Sequence, residues 1–363
     1  MSTYRLLNRT GAKNCFFRSR IYTITFTLCL GLTCCLGFSD ISLAASKHTK
    51  ATTKTKAVAK KVVKKPHKKI QKKPSVKSPK IKRVKPVSQG VQAKAAYCIN
   101  LANNETLISK NADEKLPIAS LTKMVTALVT LDHMPLDREI TVPDHIKKVP
   151  KSVVGLKPGD TLTVNDLLHG LLICSGNDCA ETLACAFPGG KEKFVEALNK
   201  KALNLGATST KFFTPSGLDK KIGVACSTDK DPEIETNVST AREIGAIAKV
   251  AFSNNIIRSI CLKKSYVLAS KLNPKGYAVR STNKLLRDNL PVVAGKTGFT
   301  VRAGHCLASE FSPGKDLFVI VVLGSPNHFR DTRLLYRMAL KQSNGHTLKN
   351  TAAKDHHSRI AAK

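Results

Sequence analysis

Acidic residues are almost missing from the first quarter of this 363-residue chain. Residues 1–94 hold one, Asp40, against 23 Lys and Arg, so this stretch carries +22 of the formal net charge of +35. Residues 47–85 contain 17 Lys and Arg, no acid, and no Phe, Tyr or Trp. Like-charge repulsion and low hydrophobicity exclude a packed core there. Pro66, Pro74, Pro79 and Pro86 exclude long helices. Without aromatic rings the segment has no platform on which unpaired bases could stack, so nucleic acid is not an expected partner. None of the eleven cysteines has C-x-x-C spacing, which argues against a zinc or dithiol redox site. No metal and no organic cofactor is expected.

What is present sorts the chain into four parts. Arg5, Arg9, Lys13, Arg18 and Arg20 precede an uncharged apolar run over residues 21–38, followed by the small-residue pattern Ser42-Leu43-Ala44. This reads as an export signal over residues 1–45, with an uncleaved anchor as the alternative. Residues 46–94 form a Lys/Pro-rich disordered linker, of which residues 47–85 fully extended would reach about 120 Å at about 3.1 Å per residue. It is either a solvated spacer or a polycation that meets an anionic wall or membrane surface. A folded domain is expected over residues 95–343, and a basic disordered tail over 344–363. Seven cysteines fall outside the leader: Cys98, Cys174, Cys179, Cys185, Cys226, Cys261 and Cys306. Export would permit disulfides, but the apolar setting of Cys174, Cys179 and Cys185 favours plain core thiols.

Within the domain, residues 96–101 and 106–109 read as strands joined at Asn103-Asn104. A helix is expected from Pro117 to about His133, with apolar Leu121, Met124, Val125, Leu128 and Val129 at helical spacing. Buried helices follow over residues 164–186, then an amphipathic one over 191–203. A helix capped by Ser239 or Thr240 should run to about Phe252. The last third returns to strands at 266–268, 304–311 and 317–323, with a turn at Ser312-Pro313-Gly314. A helix over 330–341 closes the domain. Strands, then helices, then strands imply an α+β fold. Its antiparallel sheet is built from both ends of the domain and flanked by helices, with an all-helical subdomain.

Three short elements carry chemistry. Ser120-Leu121-Thr122-Lys123 places a hydroxyl and an amine one turn apart near a helix start. A serine needs a base within hydrogen-bond reach, and a lysine can be that base if burial and neighbouring cations lower its pKa. Alone the pattern is weak, since a capping serine and a surface lysine look the same. Ser175-Gly176-Asn177 follows an apolar run and sets two polar side chains at a helix junction. Lys296-Thr297-Gly298 reads as an edge strand able to bind a carboxylate, with Gly298 leaving room for a ligand backbone.

In this order the three match the S-x-x-K, S-x-N and K-T-G set of penicillin-binding proteins and serine β-lactamases. Pro117 to Met124, Gly155-Leu156-Lys157-Pro158-Gly159, Leu167 to Leu172 around His169, Ser175 to Asp178 and Pro215-Ser216-Gly217-Leu218-Asp219 narrow the likeness. Over residues 95–340 the chain resembles low-molecular-mass D-alanyl-D-alanine carboxypeptidases, of the β-lactamase/transpeptidase-like superfamily. The resemblance implies that Ser120 is acylated, by stem peptides ending in D-Ala-D-Ala or by β-lactams. It makes Lys123 the general base and Ser175, with Lys296, the proton relay. It assigns Asn177, Lys296, Thr297, Gly298 and Phe299 to substrate binding, with the backbone N–H groups of Ser120 and Phe299 as oxyanion donors. A carboxylate-binding arginine after the last strand would be Arg330, although His328 fits one alignment equally well. Residues 206–219 contain no Glu, which argues against fast β-lactam hydrolysis. D,D-endopeptidase action on cross-linked wall, or a non-catalytic wall-binding role, are the alternatives. The expected location is the periplasm or cell envelope.

Overall fold

The computed structural model describes residues 90–150, 152–222 and 233–361. The expected leader, most of the linker and Cys226 lie outside the described residues. Five strands form the central sheet: β1 (Ala95–Asn100), β2 (Glu105–Lys110), β3 (Val292–Thr300), β4 (Gly304–Phe311) and β5 (Phe318–Ser325). Their spatial order is β3-β4-β5-β1-β2, antiparallel throughout. The first strand thus enters the middle of the sheet beside the last, with Tyr97 opposite Val321.

The reading of β5 as a buried strand follows from its run Phe-Val-Ile-Val-Val-Leu, apolar at every position. Such a run suits a strand covered on both faces, and both are covered. Val319, Val321 and Leu323 join a core with the helices, and Phe318, Ile320 and Val322 join a second core on the opposite face. Each such side chain stabilises the fold by roughly 1.5–3 kcal/mol on full burial.

The helical side contains α1 (Lys123–His133), α2 (Val164–Ile173), α3 (Asn177–Cys185), α4 (Gly190–Asn204), α5 (Ala241–Ser253) and α6 (Asn255–Cys261). Thr163 caps α2 by accepting from the Asp166 N–H, and Thr240 caps α5 by accepting from the Glu243 N–H. The opposite face carries α7 (His328–Ala361). This helix runs through residues 344–361, where a disordered tail was expected. That stretch has no proline, so no residue in it lacks the backbone N–H that a helix already begun needs to continue.

Buried Asp331 ties the two ends of the domain together. Its carboxylate accepts from the backbone N–H groups of Gln92 (3.2 Å) and Ala93 (2.8 Å) and from the Ser325 hydroxyl (2.8 Å). Each charge-assisted hydrogen bond of this kind is worth about 1.5–3 kcal/mol. The six cysteines among the described residues are free thiols, in keeping with a core role.

One expected boundary differs. The helix expected to open at Pro117 starts at Lys123, after a two-residue strand (Leu116–Pro117) and a 3-10 turn (Ala119–Thr122). Ala119 has φ +48°, a left-handed conformation that interrupts a right-handed helix.

Candidate active site

Ser120 therefore sits on a tight turn, not within α1. In a 3-10 turn residues i and i+3 eclipse, and the Lys123 Nζ lies 2.9 Å from the Ser120 Oγ. The turn is held by glycines from two distant segments. A β-carbon on Gly217 (φ +85°) would fall 2.0 Å from the Ala119 carbonyl oxygen, and one on Gly298 would fall 3.1 Å from the Ser120 nitrogen. Gly298 thus clears space for the chain's own backbone as well as for a ligand. Asn237 adds a brace, its Nδ2 donating to Thr122 Oγ1 at 2.9 Å.

Lys123 is fully buried. Besides Ser120 it donates to Asn177 Oδ1 and to the Ser216 carbonyl, both at 2.7 Å. Burial, and then the charge of Lys296, push its pKa well below the usual lysine range. A neutral amine is the form that can accept a hydroxyl proton. Lys296, equally buried, donates to Ser175 Oγ at 2.9 Å and to the Thr297 carbonyl at 2.7 Å. Burial lowers its pKa to about 8, so at neutral pH it keeps most of its charge. Two buried lysines, both with lowered pKa values, thus each touch one serine hydroxyl, an arrangement that can separate a proton-accepting from a proton-donating role.

Ser175 reaches this position through an uncommon backbone, φ +64°, in the loop between α2 and α3. Asp178 steadies that loop. Its carboxylate accepts from the N–H groups of Val154 (3.0 Å), Gly155 (2.8 Å) and Leu156 (3.2 Å). The expected element around Gly155 is therefore clamped over the Ser175–Asn177 turn.

Ser120, Ser175, Asn177, Thr297, Gly298 and Phe299 line one cavity of about 420 Å³, and Lys123 and Lys296 donate hydrogen bonds into its wall. β3 is the edge strand, and its open side adjoins this cavity. Thr297 Oγ1 lies 2.6 Å from Thr282 Oγ1.

Arg330 is the exception among the expected site residues. It is exposed and does not line the cavity. α7 starts at His328, and helical side chains rotate by about 100° per residue. Two positions further on, Arg330 faces away from the side that His328 occupies. His328 does line the cavity, together with Lys284 and His305. It is 8% exposed, and its Nε2 has no hydrogen-bond partner among the described residues. The His305 ring stacks on it with centroids 4.9 Å apart, and Phe299 packs on His305 at 4.5 Å. Burial, then His305 and Lys284, push the His328 pKa down to about 4.

Thr282, Lys284, His305 and the Ser216 carbonyl were not recognised in the sequence. Ser216 belongs to a segment whose likeness was seen without a role attached, and Gly217 beside it was the available signal. Thr282, Lys284 and His305 have no local pattern. No group of three or more His, Cys, Asp or Glu that could hold a metal occurs among the described residues.

A larger cavity, about 760 Å³, adjoins the first. It shares Leu218, Phe299 and Thr300 with it but contains neither Ser120 nor either lysine of the constellation. The chemistry therefore resides in the smaller cavity.

The family profile described as D-alanyl-D-alanine carboxypeptidase matches residues 81–327. The chain is 29% identical over 239 residues to the D-alanyl-D-alanine carboxypeptidase DacF of Bacillus subtilis, covering 64% of this chain and 58% of that protein's length. It is 32% identical over 251 residues to a D-alanyl-D-alanine endopeptidase of Escherichia coli, covering 66% of this chain and 75% of the relative. The crystal structure of a D-alanyl-D-alanine carboxypeptidase from Mycobacterium tuberculosis superposes with a TM-score of 0.63 at 27% identity, covering 71% of this chain and 96% of that one.

Proposed function

The chain belongs to the D-alanyl-D-alanine carboxypeptidase family, and from that premise we propose that it removes the terminal D-alanine from peptidoglycan stem peptides through an acyl-enzyme on Ser120. One observation carries the reading. A buried, charge-depleted Lys123 amine touches the Ser120 hydroxyl at 2.9 Å, in the same cavity as a second lysine–serine pair. Lys123 takes the Ser120 proton as Oγ attacks the penultimate D-alanyl carbonyl. The tetrahedral oxyanion meets the backbone N–H groups of Ser120 and Phe299, each donor worth about 2.7–4 kcal/mol. Ser175, fed by protonated Lys296, delivers a proton to the departing D-alanine nitrogen. Water then attacks the ester, and Ser120 recovers its proton.

The terminal carboxylate is assigned to Thr297, Lys284 and His328, in place of Arg330. An entering anion counteracts the burial that keeps His328 neutral and raises its proton affinity. β-Lactams present a carboxylate and a strained amide in the same relation, so they acylate Ser120. The test is mass spectrometry after penicillin treatment. A covalent adduct on Ser120, absent in Ser120→Ala, is expected, and an unmodified wild-type protein would leave a non-catalytic wall-binding fold.

D,D-endopeptidase action is the second reading, favoured by relatives at 30% and 32% identity that are named endopeptidases. Cleavage of a cross-linked dimer faster than a pentapeptide would select it. We further assign the protein to the envelope side of an inner membrane, exported by residues 1–45. Its Lys-rich linker binds anionic wall or membrane polymers by charge, and that binding should weaken steeply with added salt.

A further inference from the structure

We propose that the hairpin formed by the strands Ser265–Leu268 and Tyr277–Arg280 docks onto the surface of a bilayer rich in anionic phospholipid. The inference stands apart from the carboxypeptidase reading, since no residue of these two strands lines the cavity of Ser120.

The hairpin has two unlike faces. Leu268, Tyr277 and Val279 are buried, and the Tyr266 ring stacks on His169 with centroids 3.8 Å apart. The alternate residues Ser265, Val267, Ala278 and Arg280 are exposed, with Ser265 opposite Arg280 and Val267 opposite Ala278. Two carboxylates hold the inner side in place. Asp166 accepts from the Tyr266 hydroxyl at 3.2 Å and the Ala269 N–H at 3.1 Å. Asp160 accepts from the Tyr277 hydroxyl at 2.6 Å and the Leu272 N–H at 3.1 Å. An outer face fixed in this way needs little ordering when it binds.

Two features of the outer side define the partner. Residues 262–280 carry Lys263, Lys264, Lys271, Lys275 and Arg280 and no acid. Among the described residues only Lys271 of these five forms an ion pair, with Glu139, while Lys263 lies over the Tyr266 ring at 4.9 Å. The hairpin is thus a concentrated positive patch. Of the seven large hydrophobic side chains exposed among the described residues, three fall in the same stretch: Leu262 (41%), Val267 (55%) and Leu272 (59%). A polyanion dissolved in water would satisfy the cations and leave these apolar groups wet. An anionic lipid surface satisfies both, its phosphates taking the cations while the apolar side chains enter the acyl boundary. Thr282, which lines the cavity of Ser120, follows Arg280 by two residues, at most about 7 Å along the chain. Docking therefore holds the cleft close to the lipid surface.

The chain contains no tryptophan. Val267→Trp therefore gives the full-length protein a single reporter on the outer face, and Leu203→Trp, at a 59% exposed position on α4, gives a control. Each is mixed with vesicles of phosphatidylglycerol and phosphatidylcholine in equal parts, with and without bromine on the acyl chains, after a thermal melt has shown the variant to be folded. In Val267→Trp we expect the emission to move to shorter wavelength and brominated lipid to quench it. Neither change should occur with phosphatidylcholine alone, or in Leu203→Trp. Added to Val267→Trp, Lys264→Gln and Arg280→Gln should each weaken vesicle binding about fivefold, the loss expected for one cation at an anionic surface. Vesicle binding with no change in Val267→Trp emission would assign attachment to the lysine-rich linker and overturn the proposal. An equal shift in Leu203→Trp, or a shift produced by soluble polyphosphate and not by vesicles, overturns it as well.

Discussion

Lys123 and Lys296 are both lysines, both buried, and differ in what surrounds them. Lys123 feels burial and the neighbouring charge of Lys296, while for Lys296 burial is opposed by its thiol neighbours. A general base contributes about 10²–10⁴ to rate. Lys123→Ala should therefore slow penicillin acylation by about 10³-fold, read by stopped-flow fluorescence with a labelled penicillin. In the proposed mechanism Lys296 acts in its charged form, and burial brings its pKa down to about 8. The kcat/KM profile should bend downward above about pH 8, and Lys296→Arg should move that limb upward. Stability has the opposite sign. The unfolded lysine holds its proton up to about pH 10.5. Between pH 8 and 10.5 the unfolded chain binds more protons, so this group's contribution to stability rises with pH. Thermal melts across that window check the sign, since activity and this term should diverge.

At the level of elements, the site depends on close approach of backbones. The Ser120 turn, the Gly217 loop and the β3 edge come from three regions of the chain. They fit because two positions have no β-carbon. Gly217→Ala adds a left-handed alanine and a clash with the Ala119 carbonyl, with strain of about 1–3 kcal/mol before any clash. Melting should occur at lower temperature, and acylation should slow more than tenfold, because relief of the clash shifts Ser120 away from Lys123. An unchanged acylation rate would mean that the turn is not held this way. The glycines were visible as letters, and Gly298 was read as space for a ligand. That the space is filled by the chain itself needs the packed structure. The same holds for the start of α1. Apolar spacing from Leu121 onward continues smoothly, whereas the break at Ala119 arises from its neighbours in space. Arg330 shows the corresponding error over a span of two residues, where helical rotation decides which side chain faces the cleft.

For the molecule as a whole, charge and chemistry fall on different stretches of the sequence. The +22 of residues 1–94 lies on a segment distinct from the one that lines the cleft. Deletion of residues 47–88 should leave turnover of a soluble pentapeptide within about twofold of the full chain, while binding to isolated anionic wall polymers drops. A parallel loss of peptide turnover would place the lysine-rich segment within the catalytic unit. The sheet supports the expectation of separability, since both strands that pair with β1, β2 and β5, lie later in the chain.

By itself the sequence determined the secondary-structure order, the antiparallel α+β class and the three chemical motifs, because these are local. Periodicity, capping and short spacings are written within a few residues of one another. The tertiary structure alone decided that a lysine 121 positions from Ser175 would reach its hydroxyl, and that His328 with Lys284 rather than Arg330 would line the cavity of Ser120. It also decided that a larger cavity would open beyond Phe299. Those outcomes depend on which faces are turned inward when distant segments pack, and on how far water is excluded when they do. No run of neighbouring residues encodes either quantity.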